Sequence, residues 1–193
     1  MPGLVPGIHA LVTAKSWMAG TSPAMTMWID AANPIPERVT HPLLRFLART
    51  PVHTFVLMPI VVAACELIWR GGTLAFDPWG VPLLVLGYAQ YRLVGQFRSQ
   101  HGGGGPGVDV PPTRVITEGP YRFTRNPMYL GHLVFMLGLA VTFRSYVALA
   151  LLGLRAIWFH RRIMADEARL IERFGAEYTD YMRQVRRWVP GLG

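Results

Sequence analysis

The sequence predicts an all-α, polytopic integral membrane protein with about four transmembrane helices and a cytoplasmic C-terminal helical extension. Only 16% of its 193 residues are charged, against about 25% in soluble domains, and the mean hydropathy is +0.28. The apolar residues also cluster into four stretches, each near the ~17–25 residues that a helix needs to cross a bilayer. Together these observations argue against an ordinary soluble globule.

The four predicted spans cover residues 52–69, 81–97, 127–143 and 146–160. Three of them are apolar on all faces, which is typical of helices that water does not reach. The break at Arg144-Ser145 predicts a tight turn, so the last two spans should form a helical hairpin. A soluble all-α bundle with buried helices is the alternative interpretation, and the all-round apolar character disfavours it.

The arginines predict the orientation of these spans. The net charge is +8, and most arginines outside the spans lie before the first span, between the second and third, and after the fourth. The two other connections contain one each, Arg70 and Arg144. By the positive-inside rule, both termini and the long middle connection face the cytoplasm. The basic excess is therefore a topology signal, and no nucleic-acid partner is predicted.

Several site classes are excluded or weakly supported. The single cysteine, Cys65, excludes an internal disulfide, a CxxC redox pair and a thiolate zinc cage. His132 and His160 do not have a metal-ligand spacing, so no metal site is predicted. The glycines of residues 102–107 match GxGxxG formally, but no βαβ unit surrounds them, and a flexible linker is the better interpretation.

The chain divides into an N-terminal segment and one domain. Residues 1–24 fit no helix or strand period, and we expect residues 1–29 to be disordered or non-native, with Met25 or Met27 as alternative starts. Residues 30–193 are expected to form a single domain, which includes a short interfacial helix near residues 43–48.

The segment 115–131, VITEGPYRFTRNPMYLG, is the first candidate for chemistry. Its Gly119-Pro120 pair predicts a turn. Asn126 is predicted to cap the third helix, with Pro127 at the first helical position. Free N–H groups at this helix start suit a carboxylate or a phosphate. The alternative is a structural role, as an aromatic belt with positive-inside anchors.

The second candidate follows the fourth span. The sequence FHRRIMADEARLIERFG, residues 159–175, predicts that the fourth helix continues into the cytoplasm and ends at Gly175. A shorter helix should follow over residues 176–185. Arg162 and Asp166 have the i,i+4 spacing of a helical ion pair. A solvated helix with such pairs is the structural alternative.

Together, GPYRFTRNPMYLG and RIMADEARLIERFGAEYTDYMRQVRRWVPG resemble the isoprenylcysteine carboxyl methyltransferase and phospholipid methyltransferase family, over about residues 114–191. The resemblance implies a membrane enzyme that moves a methyl group from S-adenosylmethionine, on the cytoplasmic side, to a lipophilic or membrane-partitioned acceptor. The acceptor group is a carboxylate, an amine or a thiol. The partners implied are that acceptor and the lipid bilayer.

The resemblance also implies a set of site residues. Asp166 or Glu167 would hold the amino group of the cofactor, Arg162 would face the acceptor, and Arg162 and Glu167 are the expected catalytic residues. The expected cofactor-binding residues are Val115 and Ile116 in a strand-like entry, Tyr121, Asn126, Pro127, Tyr129, Asp166 and Glu167. One departure is that Arg125-Asn126-Pro127 replaces the more usual Arg-His-Pro, so this position has no ionisable side chain.

Methyl transfer from a sulfonium is an in-line displacement, to which positioning contributes ~7–11 kcal/mol. A carboxylate or thiolate acceptor needs no strong general base, whereas an amine must lose a proton. Two other functions stay open at this point. A non-catalytic membrane subunit of the same fold is supported by Asn126, and a nicotinamide-dependent membrane reductase has a similar helical layout.

Overall fold

The computed structural model describes residues 49–102 and 112–188, which belong to one compact unit, Glu37–Gly193. Every regular element in these two ranges is helical, which confirms the all-α prediction. The expectations for residues 1–29, for a helix near 43–48 and for most of the glycine linker lie outside the described residues. The helices are α1 (Thr50–Trp69, with a π-helical turn at His53–Leu57), α2 (Val81–Gly102), α3 (Pro127–Thr142), α4 (Tyr146–Phe174) and α5 (Ala176–Gln184), with short 3₁₀ turns at Pro78–Gly80 and Gly119–Arg122.

Helices α2 and α3 pack backbone against backbone because glycines line their interface. A Cβ atom added to Gly131 would lie 2.9 Å from the carbonyl oxygen of Gly87, and one added to Gly138 would lie 2.7 Å from the amide nitrogen of Leu84. Small residues of this kind allow close approach of helices in membranes, where packing replaces the hydrophobic effect as the driving force. The close approach positions the N-terminus of α3 beside the end of α2.

The tight turn predicted at Arg144-Ser145 is present, and it joins α3 to α4. Arg144 has a φ of 47°, and the Ser145 hydroxyl accepts a hydrogen bond from the amide of Ala148 at 3.0 Å. This side-chain cap satisfies one of the free N–H groups at the start of α4. Behind the turn, Val62 of α1 packs with Leu139 and Ala148 to form a buried core.

Large apolar side chains are exposed on the outer faces of α1, α2 and α4, among them Ile60, Ile68, Trp69, Val85, Leu93, Leu154 and Ile157. Within the described ranges, α1 is the one helix that is both long and apolar enough to cross a membrane, and α3 is apolar but shorter, at 16 residues. Helices α2 and α4 are long enough, but both contain arginines. The prediction of four spans is therefore supported directly for one of them.

Helix α4 continues well beyond its apolar part, as predicted. Its last residue is Phe174, and Gly175 follows with a φ of 57°, donating its N–H to the carbonyl of Ile171 at 2.8 Å. Glycine adopts this left-handed conformation without steric cost, which explains why the helix ends here. Helix α5 then packs Tyr178 and Tyr181 against the connection that precedes α3. This arrangement builds a second, more polar layer at one end of the bundle.

Candidate functional site

A cleft lies in this polar layer, and its empty space of about 480 Å³ includes the open solvent at its mouth. Its walls come from the end of α2, the connection before α3, the extension of α4, and α5. The lining residues are Arg98, Pro112, Arg114, Val115, Ile116, Tyr121, Arg125, Asn126, Ile163, Asp166, Glu167, Leu170, Phe174, Tyr178 and Tyr181.

Six residues expected at the site from the sequence line this cleft together: Val115, Ile116, Tyr121, Asn126, Asp166 and Glu167. Two others lie behind its wall. The Tyr129 hydroxyl donates to Asp166 Oδ2 at 3.2 Å, and its ring packs against Phe159 and Ile163. Pro127 is buried in the first turn of α3, where its carbonyl accepts a hydrogen bond from Gln90 at 3.0 Å. The strand-like entry at Val115 and Ile116 is irregular backbone, because no neighbouring strand is present in the described ranges to pair with it.

Glu167 is buried, with 4% of its surface exposed, and two guanidinium groups surround it. Arg187 donates to Oε2 from Nε at 3.1 Å and from Nη2 at 2.8 Å. Arg125 approaches Oε1 from the other side, with Nη2 at 3.3 Å. Both carboxylate oxygens are therefore already engaged by the protein. The sequence does not reveal this network, because both arginines are distant from Glu167 along the chain.

Asp166 is the more accessible of the two carboxylates, with 34% of its side chain exposed. Arg162 Nε lies 3.8 Å from Oδ2, so the predicted i,i+4 pair is present, and Arg169 Nη1 lies 3.5 Å from Oδ1. Burial raises the pKa of this carboxyl group above its ordinary value, while Arg162 and the Tyr129 hydroxyl oppose the shift. Asp166 therefore presents a partly exposed carboxyl group to the cleft.

Arg162 lies on the side of α4 that faces α1, outside the cleft lining. Its Nη1 is 3.3 Å from the Thr50 hydroxyl, and its guanidinium is 5.4 Å from the ring of Trp158. Two helical turns earlier, Arg155 makes the same kind of contact with Thr54 at 3.5 Å. A row of polar groups thus leads from the cleft into the α1–α4 interface.

The C-terminal strap, which we define as residues 185–188, packs against the connection before α3. The Thr124 hydroxyl and the Asn126 side-chain amide both donate to the carbonyl of Arg187 at 3.1 Å, and Trp188 packs on the cluster around Tyr129. Asn126 does precede α3, but its side chain makes no capping hydrogen bond. The predicted side-chain cap is wrong because the amide turns toward the strap instead.

Three tyrosines complete the wall. Tyr181 donates its hydroxyl to the carbonyl oxygen of Tyr121 at 2.7 Å. Burial raises the pKa of Tyr121 to about 12, and it also raises the pKa values of Tyr178 and Tyr181. All three phenols are therefore neutral at physiological pH, and they give the wall an aromatic surface.

Residues 83–177 match the family described as phospholipid methyltransferase. The protein-S-isoprenylcysteine O-methyltransferase of Schizosaccharomyces pombe is 32% identical over 78 residues, which are 39% of this chain and 33% of that enzyme. A probable protein-S-isoprenylcysteine O-methyltransferase of Oryza sativa subsp. japonica is 36% identical over 80 residues, 40% and 41% of the two chains. The nickel-cobalt-cadmium resistance protein NccN of Alcaligenes xylosoxydans xylosoxydans is 30% identical over 80 residues, 42% and 38%. No solved structure matches the chain. The aligned part spans about a third to two fifths of the length of these relatives.

Proposed function

We propose, from the confirmed resemblance to the isoprenylcysteine carboxyl methyltransferase and phospholipid methyltransferase family, that this chain is a membrane-embedded methyltransferase. The donor is S-adenosylmethionine and the acceptor is lipophilic. The observation that supports the proposal is that residues of both motifs, which are separate along the chain, line one cleft at one end of the bundle.

The groups in the cleft fit the donor. Its ammonium needs a carboxylate, and Asp166 offers one that is partly exposed. Its adenosine needs apolar and aromatic surface, which Ile116, Ile163 and Leu170 supply together with the neutral tyrosines. When bound, S-adenosylmethionine supplies an electrophilic methyl group carried on a sulfonium.

The structure favours Asp166 over Glu167 for the amino group, because Glu167 already has two arginine partners. We therefore assign Glu167 a positioning role: it holds the strap and the connection before α3 against α4. Tyr129 fixes the orientation of the Asp166 carboxylate through its hydrogen bond. Preorganisation of this kind contributes to the ~7–11 kcal/mol that positioning supplies, and the apolar walls exclude water from the reacting groups.

Arg162 is proposed to hold the acceptor. It lies between the cleft and the α1–α4 interface, and it pairs with Asp166 on one side and Thr50 on the other. A guanidinium in this place suits an anionic acceptor, which it can bind through charge-assisted hydrogen bonds. A carboxylate, a thiol and an amine all remain candidate acceptors, and product identification distinguishes them.

The membrane arrangement is part of the proposal. Residues 30–193 form one methyltransferase domain with four spans, and residues 114–191 form its cofactor-binding part. The exposed apolar faces of α1, α2 and α4 contact lipid. Both termini and the active site face the cytoplasm, because the arginine-rich segments lie on that side.

The test is equilibrium binding of S-adenosylmethionine to the purified chain in detergent, followed by transfer of a labelled methyl group to lipid extracts of native membranes. Asp166→Asn should weaken binding at least 10-fold, while Asp180→Asn, an exposed acid of α5, should not change it. A folded wild-type protein that fails to bind S-adenosylmethionine would refute the proposal. Binding without transfer to any acceptor would instead favour a non-catalytic subunit.

A further inference from the structure

Four aromatic side chains at the end of the bundle away from the cleft are almost fully exposed. Trp69, Phe76, Trp79 and Tyr146, which we call the aromatic rim, have between 67% and 86% of their surface exposed. They come from the end of α1, the α1–α2 connection and the start of α4. Trp and Tyr are largely buried, on average, in proteins that water surrounds. The rim therefore indicates a surface with a different neighbour.

Hydrogen bonds fix the backbone that carries the rim. Asp77 donates its N–H to the carbonyl of Thr142 at 2.7 Å, and its side chain accepts from the N–H of Trp79 at 3.1 Å. The Arg70 guanidinium donates to the carbonyl of Arg144 at 2.9 Å. The folded backbone thus holds the aromatic rings at the surface.

The lengths of two helices place the rim about one bilayer thickness from the polar end of the bundle. Thr50, at the start of α1, contacts Arg162, so these two residues lie at one level. Trp69 is 19 residues beyond Thr50 on α1, and Tyr146 is 16 residues before Arg162 on α4. At 1.5 Å per residue the two distances are about 29 Å and about 24 Å, close to the hydrocarbon thickness of about 30 Å.

The residue types favour lipid as the partner of the rim. Trp and Tyr concentrate at the interfaces of membrane proteins, because each ring combines an apolar body with one polar group. Next to the rim, Ile68 of α1 and Leu149 of α4 are exposed apolar side chains. The cleft end differs, since exposed arginines such as Arg173 and Arg183 lie there.

We propose that the aromatic rim lies in the headgroup layer of the leaflet opposite the cleft, where phosphate and ester oxygens accept hydrogen bonds from its indole N–H and phenol groups. The pair Arg162–Asp166 then lies near the headgroup layer of the other leaflet. The inference rests on the membrane arrangement in the proposed function and adds a defined depth to it. It does not depend on the methyl donor or the acceptor.

Spin labels measure this depth in the full chain, reconstituted into vesicles of phosphatidylcholine and phosphatidylglycerol. Each label is attached to one new cysteine in a Cys65→Ala background. The four variants, all at exposed positions, are Trp79→Cys and Tyr146→Cys at the rim, and Ile157→Cys and Met164→Cys further along α4. Collision rates are measured with oxygen, which concentrates in hydrocarbon, and with a nickel chelate, which stays in water.

The expected profile has its maximum in the middle of α4. Ile157 is 11 residues beyond Tyr146, about 17 Å along the helix and near the centre of the hydrocarbon core. Its ratio of oxygen to nickel collisions should exceed the ratios at Met164 and at both rim positions by at least about 5-fold, because those positions lie at headgroup level. Asp180→Cys, on the exposed side of α5, is the control in water and should have the highest nickel collision rate.

The native tryptophans provide a second measurement if a cysteine variant does not fold. Lipids brominated near the headgroup should quench a larger fraction of the fluorescence of wild type than of Trp69→Phe/Trp79→Phe, because the variant lacks the two emitters at that level. Equal fractional quenching would overturn the proposal.

The possible failures are distinguishable. If the rim labels meet nickel as often as the label at Asp180 while Ile157 is shielded, the rim lies in water and the proposal is wrong, but the membrane arrangement stands. If the rim labels are shielded from both oxygen and nickel, a second copy of the chain covers them, and the proposal is again wrong. If Ile157 is as accessible to nickel as Asp180, the membrane part of the proposed function fails, and the placement of the rim fails with it.

Discussion

Replacing Glu167 by glutamine should destabilise the fold strongly, because this carboxylate is the shared ionic partner of two guanidinium groups. Glu167 is 4% exposed, Arg125 has 8% of its side chain exposed and Arg187 has 28%. Glutamine keeps the shape of the side chain but removes the negative charge, so both arginines would lose their ionic partner. Breaking a buried ion pair by removing one partner costs about 3–5 kcal/mol, and we expect a loss in this range.

The structure provides a matched comparison. Arg183 and Asp180 have the same N···O distance, 2.8 Å, as Arg187 and Glu167, but their side chains are 75% and 61% exposed. Exposed pairs contribute about 0–1 kcal/mol, so Asp180→Asn should have little effect. The free energy of unfolding is measured for both variants by denaturant titration in the same detergent. If Glu167→Gln costs no more than Asp180→Asn, then burial does not govern the strength of this network and our reasoning about Glu167 is wrong.

Three other predictions concern packing, capping and pH. Gly87→Ala should destabilise the protein by about 1–3 kcal/mol, because the new Cβ would meet the carbonyl oxygen of Gly131 at 2.7 Å. Gly153→Ala, on the open surface of α4, should stabilise it by about 0.5–1 kcal/mol. If unfolding titrations give the same change in stability for Gly87→Ala and Gly153→Ala, close packing does not explain the glycines of the α2–α3 interface. Ser145→Ala should cost about 1 kcal/mol, since it removes the bond that caps α4; an unchanged unfolding midpoint would count against it. The affinity for S-adenosylmethionine should fall on acidification, because Asp166 must be ionised to hold the ammonium. Since the pKa of Asp166 is raised, this fall should occur at a pH above the ordinary carboxyl pKa of about 4. When affinity is measured against pH, the fall should be absent in Asp166→Asn. A fall that persists in this variant would show that another group causes it.

The family resemblance was predictable because it rests on two short motifs, each of which can be recognised within its own segment. The same is true of the turn at Arg144-Ser145, the end of α4 at Gly175 and the pair between Arg162 and Asp166. These features depend on backbone preferences and on helical spacing within one or two turns. Their physical causes therefore lie close together in the sequence.

The role of Asn126 was not predictable in this way. Its position before Pro127 indicated an N-cap, and α3 does begin there. The side chain nevertheless donates to the carbonyl of Arg187, 61 residues further along the chain. A capping rule considers only the helix that follows, whereas the strap competes for the same amide in the folded protein.

By itself, the sequence determined the helical class, the ends of α1, α3 and α4 to within about two residues, and the two segments that contain the candidate chemistry, whereas α2 continues to Gly102, beyond its predicted end at residue 97. It also supplied the acidic pair Asp166-Glu167 without distinguishing the two residues. Only the tertiary structure separated them, because Arg125 and Arg187 approach Glu167 from other elements and leave Asp166 more accessible. Local dihedral preferences and periodicity act over a few residues. The partner of a buried charge depends on which elements pack together, and that is decided when the whole chain folds.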